Sequence, residues 1–108
     1  MNCTVTSIQG TDALTIEIQG TFNFSVQRPF RDAYARISET TKRIVVDMAQ
    51  VDHVDSSALG MLVLMQKNAK ARDVTVSLVN CDDHLRRLLR VGQLDTVFEV
   101  TGTETSGA

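Results

Sequence analysis

Residues Val51 to Met65, VDHVDSSALGMLVLM, hold the change of pattern on which the reading of this chain turns. Ahead of them Ile44-Val45-Val46 is a short β-branched apolar run of the kind buried in a sheet. Beyond them Ala58, Met61, Leu62, Met65 and Ala69 recur at the spacing of one helix face, so a helix is expected from Ser56 to about Arg72. Asp55-Ser56-Ser57 therefore falls on a strand-to-helix loop at the edge of a core. Leu59 and Val63 form a second apolar stripe flanked by Gln66 and Lys70, either more core or a face turned to a partner. Gly60, early in the helix, is expected to let it approach a neighbouring backbone.

Toward the amino terminus, Cys3 to Ile8 and Ala13 to Gln19 read as strands, the second with Leu14, Ile16 and Ile18 alternating with Thr15, Glu17 and Gln19. Gln9-Gly10-Thr11-Asp12 has the composition of a tight connection, which makes the pair an antiparallel hairpin. Gly20 ends it, and Thr21-Phe22-Asn23-Phe24-Ser25 reads as a loop with two aromatics. A helix follows from about Gln27 to Glu39, with Pro29 in its first turn and Phe30, Ala33, Tyr34 and Ile37 on one face. Arg43 to Met48, RIVVDM, reads as an interior strand covered on both faces.

After the Asp-Ser-Ser segment the chain repeats the alternation. Val74 to Val79 is a strand, and Asn80, Asp82 or Asp83 can cap a third helix that buries Leu85, Leu88 and Leu89 and ends at Gly92. Arg86, Arg87 and Arg90 suit its carbonyl end. Val97 to Val100 is a short strand or strap, and 101–108, TGTETSGA, is a polar tail expected to fray. The order ββαβαβα predicts an α/β fold, a single domain over 1–100 with a mixed four- to five-stranded sheet and about three packed helices. The crossover from Arg43–Met48 to Val74–Val79 should be a right-handed parallel unit.

Composition narrows the function classes. With 108 residues, 43% of them hydrophobic, the chain can bury a core without metals or cross-links. Eleven basic against 13 acidic residues leave a net charge of -2, no footprint for nucleic acid or an anionic membrane, so protein or small-molecule partners are expected. Cys3 and Cys81 share no disulfide or zinc-ligand spacing. No basic leader and no membrane-length apolar run is present, and the cytoplasm is the expected compartment.

Asp55-Ser56-Ser57 is the strongest candidate site. A serine oxygen there can serve only as an N-cap, satisfying an orphan helix amide. Two serines after an aspartate exceed what one cap needs, so one can cap while the other stays open to a kinase. Phosphorylation adds roughly -1.5 to -2 charge at pH 7, which helix dipoles tolerate and Asp55 opposes. Asp47 at a strand end suggests a receiver's phosphoacceptor, but the acidic pair after the first strand is missing. An Asp-Ser-Leu phosphopantetheine site fails on Ser57 and on the sheet. Ser56 with His53 makes no Gly-x-Ser-x-Gly elbow, and His84 has no motif around it. No phosphate-binding glycine loop or metal-ligand cluster is seen, so no enzyme site and no cofactor are expected.

Asp55-Ser56-Ser57-Ala58-Leu59-Gly60 resembles the Asp-Ser-Ser-Gly-Leu-Gly signature of bacterial STAS-domain anti-sigma factor antagonists. Gly20-Thr21-Phe22-Asn23 falls where that family commonly has Gly-x-Leu-Asp, and Val76 to Leu89 resembles its later strand and leucine-bearing helix, so the likeness covers roughly Val5 to Val100. The resemblance implies partner switching. The unphosphorylated antagonist binds an anti-sigma factor that is also a serine kinase and so frees a sigma factor; phosphorylation blocks binding, and a metal-dependent serine phosphatase reverses it. Carried onto this chain, Ser56 is the acceptor, Ser57 a cap or secondary site, and the partner face comprises Phe22, Asn23, Phe24, Asp55, Ser56, Ser57, Ala58, Leu59, Gly60 and Val63. Ala58 and Asn23 depart from the family's glycine and aspartate. The flanking text also resembles antagonists wired to motility and biofilm output. A non-switching STAS subunit of a transport or signalling assembly is the alternative.

Overall fold

The computed structural model describes residues 4–102. Among them the chain forms strands β1 (Thr4–Gln9), β2 (Ala13–Phe22), β3 (Arg43–Val54), β4 (Thr75–Cys81) and β5 (Glu99–Gly102), and helices α1 (Gln27–Tyr34), α2 (Ser56–Ala71) and α3 (Asp83–Val91). The strands lie in one sheet in sequence order, β1 antiparallel to β2 and each later neighbour parallel. This is the expected mixed α/β sheet. Cys3 and residues 103–108 lie outside the described residues. Thr101 and Gly102, assigned to the tail from sequence, complete β5, where Gly102 is buried and pairs with Cys81.

The register sorts the sheet into two unlike faces. Leu14, Ile44 and Val76 form one row and Ile16, Val46 and Leu78 the next, all buried. The alternate rows, Thr15-Val45-Ser77-Glu99 and Glu17-Asp47-Val79, look the other way and are exposed or half-buried apart from Ser77. β3 is thus covered on one face only, against the expectation of two. Strands laid down in order by crossovers of one hand bring their helices to a single face, and the open face is dressed with polar bonds instead. Ser77 Oγ donates to Glu99 Oε1 at 2.8 Å and Asn80 Nδ2 donates to Asp47 Oδ1 at 2.9 Å.

Helix α2 presses Ala58, Met61, Leu62, Met65 and Ala69 into the core, at about 1.5–3 kcal/mol for each large side chain fully removed from water. Helix α1 buries Phe30, Ala33 and Tyr34 but stops at Tyr34, short of Glu39. Ser38 is the cause: its amide bonds to Thr41 Oγ1 at 2.9 Å and its carbonyl accepts from Thr41 N at 3.1 Å, local bonds that replace helical ones. Ile37 remains buried beyond the helix end. In α3, Asp82 is the cap among the three candidates, accepting from Leu85 N at 2.8 Å, and Gly92 is the C-cap.

Candidate functional site at the amino end of α2

Strands β2 and β3 run on together past the point where β3 and β4 part at Asp47 and Val79. Sequence ended β3 at Met48; pairing with β2 carries it to Val54, opposite Phe22. Gly20 pairs with Val51 and Thr21 with His53, so Asp52 is an extra residue on β3, and Gly20 sits at φ 95 where a side chain would be strained. The irregularity delivers Phe22 to the foot of α2. Its carbonyl accepts from Asp55 N at 3.4 Å, and its ring is fully buried 5.3 Å from the ring of Phe30.

Asp55, in extended conformation, is the N-cap of α2. Its Oδ1 accepts from Ala58 N at 3.0 Å and from Ser57 Oγ at 2.6 Å. The Ser57 hydroxyl, then the Ala58 amide, hold the Asp55 carboxyl below its ordinary value, with His53 adding a smaller pull. The capping work therefore falls to Asp55 and Ser57. Ser56, the first residue of the helix, is exposed, and the cap does not use its hydroxyl. Asn23 repeats the arrangement on the neighbouring 3-10 turn Phe24–Val26: its Oδ1 accepts from Ser25 N at 2.9 Å and from Ser25 Oγ at 2.6 Å. A carbonyl oxygen suffices for that cap.

Two residues assigned to the partner face by sequence turn inward. Phe22 and Ala58 are both 0% exposed, so their side chains serve the core. Phe24 is 63% exposed, Gly60 is exposed, and Asn23, Asp55, Ser57, Leu59 and Val63 are half-buried. The close backbone approach expected at Gly60 does not occur, since a Cβ there would meet nothing within 4 Å. Sequence reading missed Leu64, which is 57% exposed. Its signal was the step from Ser56 through Gly60 to Leu64 and Lys67, the outward line of α2. Leu64 also lines a shallow depression of about 30 Å³ against α1, with Gln27, Phe30, Arg31, Tyr34 and Met61.

The other candidates resolve differently. His53 and His84, far apart in sequence, border one depression of about 20 Å³ with Asp52 and Asp82, yet no group among the described residues has the makings of a metal site. Cys81 is fully buried and burial pushes its thiol up to about 12, well away from a reactive thiolate. A broad open concavity of about 550 Å³ lies between the far half of α2 and the β4–β5 edge, and its α2 wall, Gln66 and Lys70, is roughly 15 Å or more along the helix from Ser56. Ser56 thus stands away from that concavity, on the exposed line of α2 that includes Gly60 and Leu64. No helix among the described residues is long and apolar enough to cross a membrane.

Comparison with known proteins agrees with the fold. The family model described as Mlab, STAS domain matches residues 6–101. A STAS-domain containing protein of Pseudomonas aeruginosa (strain UCBPP-PA14) is 38% identical over 99 residues, which span 90% of this chain and 98% of that protein. Two solved structures share the fold. An anti-sigma factor antagonist from Mycobacterium paratuberculosis superposes with a TM-score of 0.78 at 16% identity over 93% of this chain and 86% of its own. A sulfate transporter family protein from Wolinella succinogenes superposes with a TM-score of 0.74 at 24% identity over 87% of this chain and 80% of its own.

Proposed function

The chain belongs to the STAS-domain family, and from that membership we propose that it is an anti-sigma factor antagonist in which Ser56 selects the partner. The observation that carries the reading is the division of labour at α2: Asp55 and Ser57 complete the cap, and the exposed Ser56 hydroxyl is spare. In the unmodified state the surface of Asn23, Phe24, Leu59, Gly60, Val63 and Leu64 around Ser56 docks an anti-sigma factor that is a serine kinase, releasing its sigma factor. The kinase transfers the γ-phosphoryl of ATP to Ser56 Oγ; the hydroxyl proton leaves to solvent and ADP departs. A metal-dependent serine phosphatase restores the hydroxyl by attack of water, releasing inorganic phosphate.

The phosphate sits beside Asp55 at the start of α2, where helix amides make it tolerable to the fold. Buried against a partner without cations, the same dianion is costly, and a loss of about 1.4 kcal/mol already weakens binding tenfold. The chain itself is a binding module, not an enzyme, and works in the cytoplasm. Incubation with ATP and serine kinases of the histidine-kinase-like fold, followed by intact mass, tests the acceptor. One added phosphate in the wild type and none in Ser56→Ala is expected.

A second reading has support of its own. The matching family model is named for Mlab, and a solved relative belongs to the sulfate transporter family. A non-switching STAS subunit of a transport assembly would bind its partner equally well as Ser56→Ala and Ser56→Asp.

A further inference from the structure

We propose that the hollow between the far half of α2 and the 3-10 turn Leu94–Thr96 binds a small amphiphilic acid: an apolar body, a carboxylate and, beside the carboxylate, an N–H or O–H donor. The hollow holds about 190 Å³ and adjoins the broad concavity of about 550 Å³, the two sharing Gln66, Lys70, Val97 and Phe98. Val63, Leu94, Val97 and Phe98 make its apolar wall, and Val97 is still 43% exposed. Sites for small molecules have this form, a concave apolar wall with a few convergent polar groups.

Gln66 Oε1 defines the donor. It is buried and accepts no hydrogen bond, the one buried side-chain polar atom among the described residues left in that condition. A buried acceptor without a donor carries its desolvation cost uncompensated, and a donor brought to it recovers that cost. Gln66 is half-buried and lines both hollows, and the last torsion of a glutamine is soft, so a small rotation of the amide presents the oxygen to a bound molecule. Lys67 and Lys70 define the anion. They are the charged groups of the smaller hollow, both exposed and neither ion-paired among the described residues. Asp73 and Glu99 line the broader concavity alone, and Glu99 already accepts from Ser77 Oγ.

Spacing sets the size of the ligand. Val63, Gln66, Lys67 and Lys70 stand at i, i+3, i+4 and i+7 of α2, so apolar contact, acceptor and cation follow one another along one stripe of about 10 Å. An N-acylated apolar amino acid carries the matching parts within one residue: its side chain meets the wall, its amide N–H donates to Gln66 Oε1, and its carboxylate faces the lysines.

Two-dimensional amide NMR of the full chain tests this by titration with N-acetyl-L-leucine, with N-acetyl-L-leucinamide, which lacks the carboxylate, and with isocaproate, which lacks the amide. Saturable shifts at Gln66, Lys70, Val97 and Phe98 are expected with N-acetyl-L-leucine, and binding at least about tenfold weaker for each truncated compound. Gln66→Met keeps the side-chain length and removes the orphaned oxygen. It should fold as wild type by circular dichroism, bind N-acetyl-L-leucine at least about tenfold more weakly, and no longer prefer it to isocaproate. Absence of saturable shifts, shifts centred away from these residues, equal binding of the three compounds by wild type, or undiminished binding by a folded Gln66→Met overturns the proposal.

Discussion

Ser57 Oγ donates a 2.6 Å hydrogen bond to Asp55 Oδ1, the same oxygen that accepts from Ala58 N at 3.0 Å. One carboxylate oxygen thereby ties the second helical residue and the helix amide together, and the first helical residue, Ser56, keeps an unspent hydroxyl. The two adjacent serines are chemically alike but structurally distinct, and the first expectation follows from that difference.

Ser57→Ala should lower the Tm by a few degrees, because the hydroxyl that helps hold Asp55 in its capping position is gone. Ser56→Ala should leave the Tm nearly unchanged, as an exposed substitution at a good helix position. Thermal unfolding followed by circular dichroism separates the two.

Acid should report on Asp55. Its carboxyl lies below the ordinary value of 3.8 in the folded chain, so its contribution to stability is complete above that pH and disappears as pH falls through the lower folded value. The stability gap between wild type and Asp55→Asn should therefore be constant from neutral pH to about pH 5 and close below pH 3.8. Urea unfolding at a series of pH values measures it; a gap that widens on acidification would contradict the cap's ionic character.

The two aromatics of the same segment should behave oppositely. Phe22→Ala removes a fully buried ring packed on Phe30 and should cost about 3–5 kcal/mol of stability. Phe24→Ala removes an exposed ring and should stay within about 0.5 kcal/mol of wild type. Chemical denaturation supplies both values, and partner pull-down should fail for Phe24→Ala in a chain that is still folded.

Cys81 should resist alkylation in the native protein at pH 8, since burial removes access and pushes its thiol up to about 12. Peptide mapping after iodoacetamide treatment should find it unlabelled until the chain is unfolded.

Local patterns made most of this architecture legible. The alternation of Leu14, Ile16 and Ile18, the helical spacing of Ala58, Met61, Leu62 and Met65, and the Asn80, Asp82 or Asp83 cap of α3 are short-range signals, and each element they mark is where the sequence placed it. What depended on distant partners was not visible. β3 gains its second half only because β2 runs beside it to Phe22, and that pairing turns the Phe22 ring inward. RIVVDM looks double-sided because Val45 is apolar, yet Val45 faces the open side of the sheet. Composition left the cap to one of the serines, whereas the structure gives it to Asp55, whose Oδ1 accepts from Ala58 N while Ser57 Oγ donates to the same oxygen.

The most direct measurement is the binding of one cognate serine kinase to three forms of the chain, with intact mass read on the same samples after ATP is added. The account predicts that wild type and Ser56→Ala bind, that Ser56→Asp binds at least tenfold more weakly, and that only wild type gains a single phosphate, mapped to Ser56. Equal binding of all three forms, or a phosphate that persists in Ser56→Ala, would contradict it.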